Sequence, residues 1–185
     1  LEQLTEELFR YSVITSPEYD ATAEPLSVNR VLEESILGFY GALQERKITP
    51  NVRMPEHKVV RTINRVALSR VFSNLMNNAL KYSDGDLEIT LTESGTITFS
   101  NTASGLSEVQ VEKLFDRFYT VESGRKSTGL GLSISRVLVE QMNGTIMARY
   151  NNKRLSICIQ LPDEKGTDKF NTVGSEVINH HYEKP

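Results

Sequence analysis

Hydrophobic positions repeat along this chain with two periods, and each change of period marks a change of element. Leu1, Leu4, Leu8 and Tyr11 fall at a/d spacing, so the start reads as the end of a bundle or coiled-coil helix. It stops near "TSPEYDATAEP", where Pro17 and Pro25 bracket a linker. Ser27 can cap a second helix, whose apolar positions Val28, Val31, Leu32, Ile36, Phe39, Tyr40 and Leu43 keep helical spacing. Two short strands are expected, around Ile48 to Met54 and Val59 to Ile63, followed by a helix from about Leu68 to Tyr82. "DLEITLTESGTITFS" reads as a hairpin turning at Ser94-Gly95. Residues 101 to 128 are polar and glycine-containing, with one short helical piece near "EVQVEKLF". A helix from about Leu130 to Met142 ends at the C-cap pair Asn143-Gly144. "TIMARYNNKRLSICIQLP" is a second hairpin, turning at Asn151-Asn152, with Leu155, Ile157, Ile159 and Leu161 on one face. Beyond Pro162 the periodicity is lost, and a disordered tail is expected.

Helices and hairpins in this order predict an α/β fold: a two-layer α/β sandwich, with a mixed, mostly antiparallel sheet and helices on one face. Strict strand–helix alternation, the mark of a doubly wound parallel sheet, is absent. The expected organisation is a helix end and linker over residues 1–20, one globular domain over 21–163 and a tail over 164–185.

Composition narrows the function classes. The 185 residues suffice for one domain with a core. A formal net charge of -3 gives no general attraction to nucleic acid, so no nucleic-acid partner is expected. The single Cys158 excludes an internal disulfide framework and fits a reducing compartment. No apolar run approaches the roughly 20 residues needed to span a bilayer. The chain opens on Leu1 rather than Met, which predicts a piece of a longer protein whose anchor or sensor lies elsewhere.

Three stretches carry chemistry. In "VFSNLMNNALKYS", Val71, Phe72, Leu75, Met76 and Ala79 form one helical face, while Asn74, Asn78 and Lys81 line up as a stripe beside it. A solvated face is the plain alternative, but such faces usually carry Glu, Lys and Arg, which form helices better than Asn. Asparagine oxygens with a lysine suit Mg²⁺ and phosphate. In "STGLGLSIS", Ser127 and Thr128 can cap a helix, and Gly129 and Gly131 let an anion approach its free N–H groups. A tight loop entering a helix is the plain alternative there. The connection from Asn101 to Gly131 is long enough for a lid and holds Arg117, Arg125 and Lys126. Its aromatics Phe115, Phe118 and Tyr119 suit anchors better than ligands.

In this order and spacing, the pieces resemble the C-terminal ATP-binding catalytic domain of sensor histidine kinases, in the superfamily shared with type II topoisomerases and mismatch-repair ATPases. "NLMNNALKYS" resembles the N box, "LFDRFY" the F box, and "STGLGLSISRVLVEQMNG" the second glycine box with its helix. The likeness covers about residues 26 to 162, and "LEQLTEELFRYSVI" resembles the end of the preceding dimerisation helix. The resemblance implies a Bergerat-type fold, with ATP and Mg²⁺ as ligands. By it, Asn78 coordinates Mg²⁺, Asn74 supports the phosphate site, Lys81 contacts phosphates and Tyr82 packs near the nucleotide. Arg117 reaches the terminal phosphate. Gly129, Leu130, Gly131 and Leu132 hold phosphates through backbone N–H groups, with Ser127 and Thr128 beside them. Asn74, Lys81 and Arg117 are the catalytic candidates. Where the family's first glycine box reads Asp-x-Gly-x-Gly, this chain has "NTASG": Asn101 takes the place of the adenine-recognising aspartate, Ala103 replaces a glycine and Gly105 is kept.

The resemblance further implies transfer of the ATP γ-phosphoryl group to a histidine, with a response regulator and a homodimeric, histidine-bearing dimerisation domain as partners. It also implies the cytoplasmic side of a membrane-bound sensor. None of His57, His180 and His181 sits in a recognisable phosphoacceptor helix, so the acceptor is expected outside this chain, which alone should not autophosphorylate. A degenerate nucleotide-binding module that regulates a partner is the non-enzymatic alternative, supported by "NTASG". Another ATPase or serine kinase of the superfamily is the third, opposed by the F box and the leading helix.

Overall fold

The computed structural model describes residues 2–16, 22–121 and 128–163. The expected tail, His180 and His181, Leu1, most of the first linker, and Arg125, Lys126 and Ser127 lie outside those residues. Six helices and seven strands follow in the described chain: α1 Glu2–Ile14, β1 Glu24–Ser27, α2 Val28–Gly38, α3 Tyr40–Glu45, β2 Pro50–Arg53, β3 Val60–Ile63, α4 Arg65–Tyr82, β4 Leu87–Leu91, β5 Thr96–Thr102, α5 Glu108–Glu112, α6 Gly131–Gln141, β6 Thr145–Asn151 and β7 Arg154–Gln160.

Five strands form one sheet in the order β2-β4-β5-β7-β6. The β2–β4 pair is parallel, because α4 crosses between them, and the other three pairs are antiparallel. Along β4, β5 and β7 alternate residues are buried: Leu87, Ile89 and Leu91, then Ile97 and Phe99, then Leu155, Ile157 and Ile159. This period of two gives the sheet one apolar face. The stripe Leu68, Val71, Phe72, Leu75, Met76 and Ala79 of α4 covers it, joined by Ile134, Leu138 and Val139 of α6. Phe72 meets Phe99 across the layers, with ring centroids 5.9 Å apart. The predicted two-layer mixed sandwich is therefore the observed architecture.

Several boundaries differ from expectation. Residues 24–27, expected to be the end of the linker and the cap of the second helix, form β1 and pair antiparallel with β3, while Ser27 still caps α2. Only a distant partner makes Glu24–Ser27 a strand, since Pro25 donates no backbone hydrogen bond and suits an edge. The second helix breaks after Gly38 and restarts as α3, which the low helix propensity of Gly38 and Gly41 favours. Helix α4 begins at Arg65 rather than Leu68, because the Asn64 side chain caps it by accepting from Ala67 N at 2.8 Å. We expect Asn64→Ala to lower stability by about 1 kcal/mol, the usual worth of such a cap, as read from denaturant unfolding. The β6–β7 turn is Asn152-Lys153 rather than Asn151-Asn152: Asn151 pairs with Arg154, and both turn residues have positive φ, 50° and 61°. That geometry matches the right-handed twist of the flanking strands.

Candidate functional site

Helices α4 and α6 lie side by side over the sheet, and one contact joins their two motifs. Asn74 Nδ2 donates to Gly131 O at 2.9 Å and to Ser135 Oγ at 3.0 Å. Asn74 thus fixes the N-terminus of α6 against α4 rather than standing free in a solvated stripe. Asn78, one turn on, is different. Its Nδ2 is buried and has no hydrogen-bond partner among the described residues. Buried amides are nearly always paired, so this open donor sets Asn78 apart and points to a ligand site.

The start of α6 matches that expectation. Its N-cap is Leu130, which makes no side-chain cap, so the first-turn N–H groups are not capped by the N-cap side chain. Thr128 does not cap the helix as expected; it accepts from Leu130 N at 3.4 Å, one step earlier. Leu130 and Leu132 are buried and serve packing through their side chains, leaving only their backbone for a ligand. Gly129 has a φ of +70°, and an added Cβ would lie 2.5 Å from the Phe118 carbonyl carbon. Phe118 N donates to Gly129 O at 3.1 Å, so a backbone bond forms a neck between residues 118 and 129.

Lys81, Tyr82 and Gly105 line a cavity of about 120 Å³ together with Asp84, Ala103, Leu106, Arg46 and Val121. One wall is the end of α4 and the turn after it. The other is the loop that follows β5. Asn101 stands behind that second wall: it is 5% exposed, and its Nδ2 donates to Thr102 O at 3.0 Å. The structure does not place it among the lining residues. Arg117 is also set apart from the cavity. Its guanidinium lies over the ring of Tyr11 on α1, 4.7 Å from the centroid, a cation–π contact. Helix α1 itself is anchored by Gln141 Nε2, which donates to Ile14 O at 2.6 Å.

Sequence reasoning missed Arg46 and Asp84. Arg46 follows α3 and carries no motif signal. Asp84 lay within reach, two residues past Tyr82 at the end of the asparagine helix. The hydroxyl and then the N–H of Ser104, both donating to Asp84, hold its carboxyl below the usual carboxylate range. Among the described residues no cluster of His, Cys, Asp and Glu could hold a metal ion, and no helix is long and apolar enough to cross a membrane.

Known proteins with these features agree in kind. The chain is 30% identical over 153 residues to the sensor histidine kinase YcbM of Bacillus subtilis, covering 78% of this chain and 49% of that protein. It is 38% identical over 112 residues to the signal transduction histidine-protein kinase BaeS of Escherichia coli, covering 55% of this chain and 24% of that protein. The chain thus spans about half, or less, of the length of these relatives. Among solved structures, the catalytic domain of histidine kinase ThkA matches with a TM-score of 0.68 at 21% identity, covering 76% of this chain and 95% of that one. Full-length ShkA, solved in complex with AMPPNP, matches with a TM-score of 0.72 at 18% identity, covering 86% and 35%. Residues 63–170, which hold the asparagine helix and the glycine-rich turn, match the family described as histidine kinase-, DNA gyrase B- and HSP90-like ATPases, and the chain belongs to that family.

Proposed function

We propose that this chain is the ATP-binding catalytic domain of a two-component sensor histidine kinase, transferring the γ-phosphoryl group of ATP to a histidine outside it. The observation that carries this is the juxtaposition of the orphaned Asn78 amide, the Asn74–Gly131 contact and the uncapped start of α6. Phosphoryl transfer needs positioning and charge stabilisation rather than a covalent protein nucleophile. This donor set supplies both. Backbone N–H groups at a helix N-terminus favour anions. Lys81 adds a cation on the same side of α4.

Mg²⁺ fits the site by the chemistry of its donors. It takes one or two protein oxygens, keeps waters and shares phosphate oxygens. The Asn78 side chain offers a neutral amide oxygen, while its Nδ2, which has no partner among the described residues, is free to donate to a phosphate oxygen; Asn74 is already committed to α6 and acts as its support. When bound, the metal neutralises charge on the phosphates. Tyr82 and Gly105 are proposed for the nucleoside end, together with Asn101, and Lys81 with the backbone donors of Gly129, Leu130, Gly131 and Leu132 for the phosphate end. Thr128, and Ser127 by its place in the sequence, are proposed to serve the same phosphate end. The partners proposed are a histidine-bearing dimerisation domain of the same protein, making a homodimer, and a response regulator. A place on the cytoplasmic side of a membrane-bound sensor follows from the same reading.

Calorimetric titration of the chain with Mg–ATP and ADP tests the binding half, and absence of heat with both would end the reading. The transfer half is tested in the full-length protein through Arg117. Its proposed partner is the γ-phosphate, so Arg117→Ala should slow autophosphorylation tenfold or more, on the order of 1.4 kcal/mol of transition-state stabilisation, and leave ADP affinity unchanged. Equal losses in rate and ADP affinity would assign Arg117 to structure instead.

A further inference from the structure

Two walls of the candidate cavity come from distant parts of the chain, and a single side chain ties them across its mouth. Helix α4 delivers Lys81 and Tyr82 and ends at once. Ser83 then builds a tight turn: its Oγ accepts from Gly85 N and Asp86 N, each at 3.0 Å, and donates to Asp86 O at 2.5 Å. This turn holds Asp84 toward the opposite wall. Asp84 N donates to Thr102 O at 2.9 Å, and Asp84 Oδ2 accepts from Ser104 N at 2.9 Å and Ser104 Oγ at 2.6 Å.

The opposite wall, residues 103–106, is also held from its far side. Ala103 N donates to Lys153 O at 2.8 Å, and Tyr150 Oη lies 3.0 Å from Ala103 O and 2.9 Å from Leu106 O. All of these partners belong to the β6–β7 hairpin. From the end of α4, Asp84 reaches that wall through Ser104. Both Asp84 and Ser104 are exposed. A pair of exposed groups contributes little to global stability. Its two charge-assisted hydrogen bonds nevertheless fix distance and direction locally. A contact that is weak for the fold and strict for the cavity points to the ligand.

We propose that Asp84 is a positioning residue for nucleotide binding, a clamp that ties the end of α4 to loop 103–106 and sets the width of the cavity between them; this rests on the nucleotide-binding reading above. The neighbouring Asp86 provides the contrast. It springs from the same turn but accepts from Thr102 N and Arg154 Nη1, each at 2.7 Å, and does not line the cavity.

The test is a double-mutant cycle on nucleotide affinity, with thermal melting alongside. Titrating the chain with Mg–ATP, D84A should lose about tenfold in affinity, the scale of one charge-assisted hydrogen bond, while its melting temperature stays close to wild type. D84N, which still accepts through its amide oxygen, should recover part of that loss. S104A should weaken binding in the wild-type background and add nothing in D84A, because the bond it removes is already gone. D86N should lower the melting temperature and keep the wild-type affinity. Wild-type affinity in D84A, or full additivity of D84A and S104A, would overturn the clamp while leaving the nucleotide-binding function standing. Absence of Mg–ATP binding in the wild-type chain would take down the function and the clamp together.

Discussion

Asn78→Ala should abolish the Mg²⁺-dependent part of ATP binding and leave the fold as stable as before, or more so. Two physical effects set the sign of the stability change. Alanine is the better helix former, by roughly half a kcal/mol in a helix interior. The substitution also removes a buried amide that has no partner, and such a group costs about 1–3 kcal/mol while it stays unpaired. Both favour the variant, so lost binding could not be a folding artefact. A residue whose removal stabilises the protein and disables its ligand is one retained for the ligand. Titrations with and without Mg²⁺, paired with denaturant unfolding, check both halves. An affinity that still responds to Mg²⁺ as in the wild type would remove Asn78 from the metal site.

Gly129→Ala should be costly for both the lid and the ligand. Its φ of +70° strains any residue with a Cβ by about 1–2 kcal/mol. The added carbon would also come within 2.7 Å of Phe118 Cα and Tyr119 N, backbone atoms that cannot swing aside as a side-chain tip can. The compensating loss of unfolded-state entropy is at most about 1 kcal/mol, so destabilisation wins. Relief requires opening the neck where Phe118 N meets Gly129 O. That displaces the N-terminus of α6 and with it the backbone donors proposed for phosphate. We expect at least a tenfold loss of ATP affinity, equivalent to about 1.4 kcal/mol. Amide exchange at Phe118 should accelerate in the same variant, and protection unchanged there would show that the neck does not carry the effect.

Local physics was legible in the sequence and tertiary pairing was not. Periodicity, caps and turn residues placed α2, α4, the two hairpins and α6, because each depends on neighbours within a few residues. The asparagine stripe and the glycine-rich turn were visible for the same reason: Asn is out of place in a helix, and Gly129 marks a backbone few other residues adopt. The division of labour within the stripe was not visible. Asn74 is bound to α6, and the Asn78 Nδ2 has no partner among the described residues; Asn74's partners lie nearly sixty positions away. Likewise β1 exists only because β3 pairs with it, and Arg117 rests on Tyr11 only because α1 returns to pack beside α6. Asp84 reads in sequence as an ordinary turn aspartate; its hold on Ser104, twenty residues on, appears only when β4 and β5 fold back as a hairpin. The sequence by itself determined the main helices, the hairpins, the sheet's apolar face and the phosphate-and-metal character of the candidate site, since those follow from residue type and short spacing. Tertiary structure decided which polar groups are satisfied and which remain open, because hydrogen-bond partners are assigned by distance in space rather than along the chain.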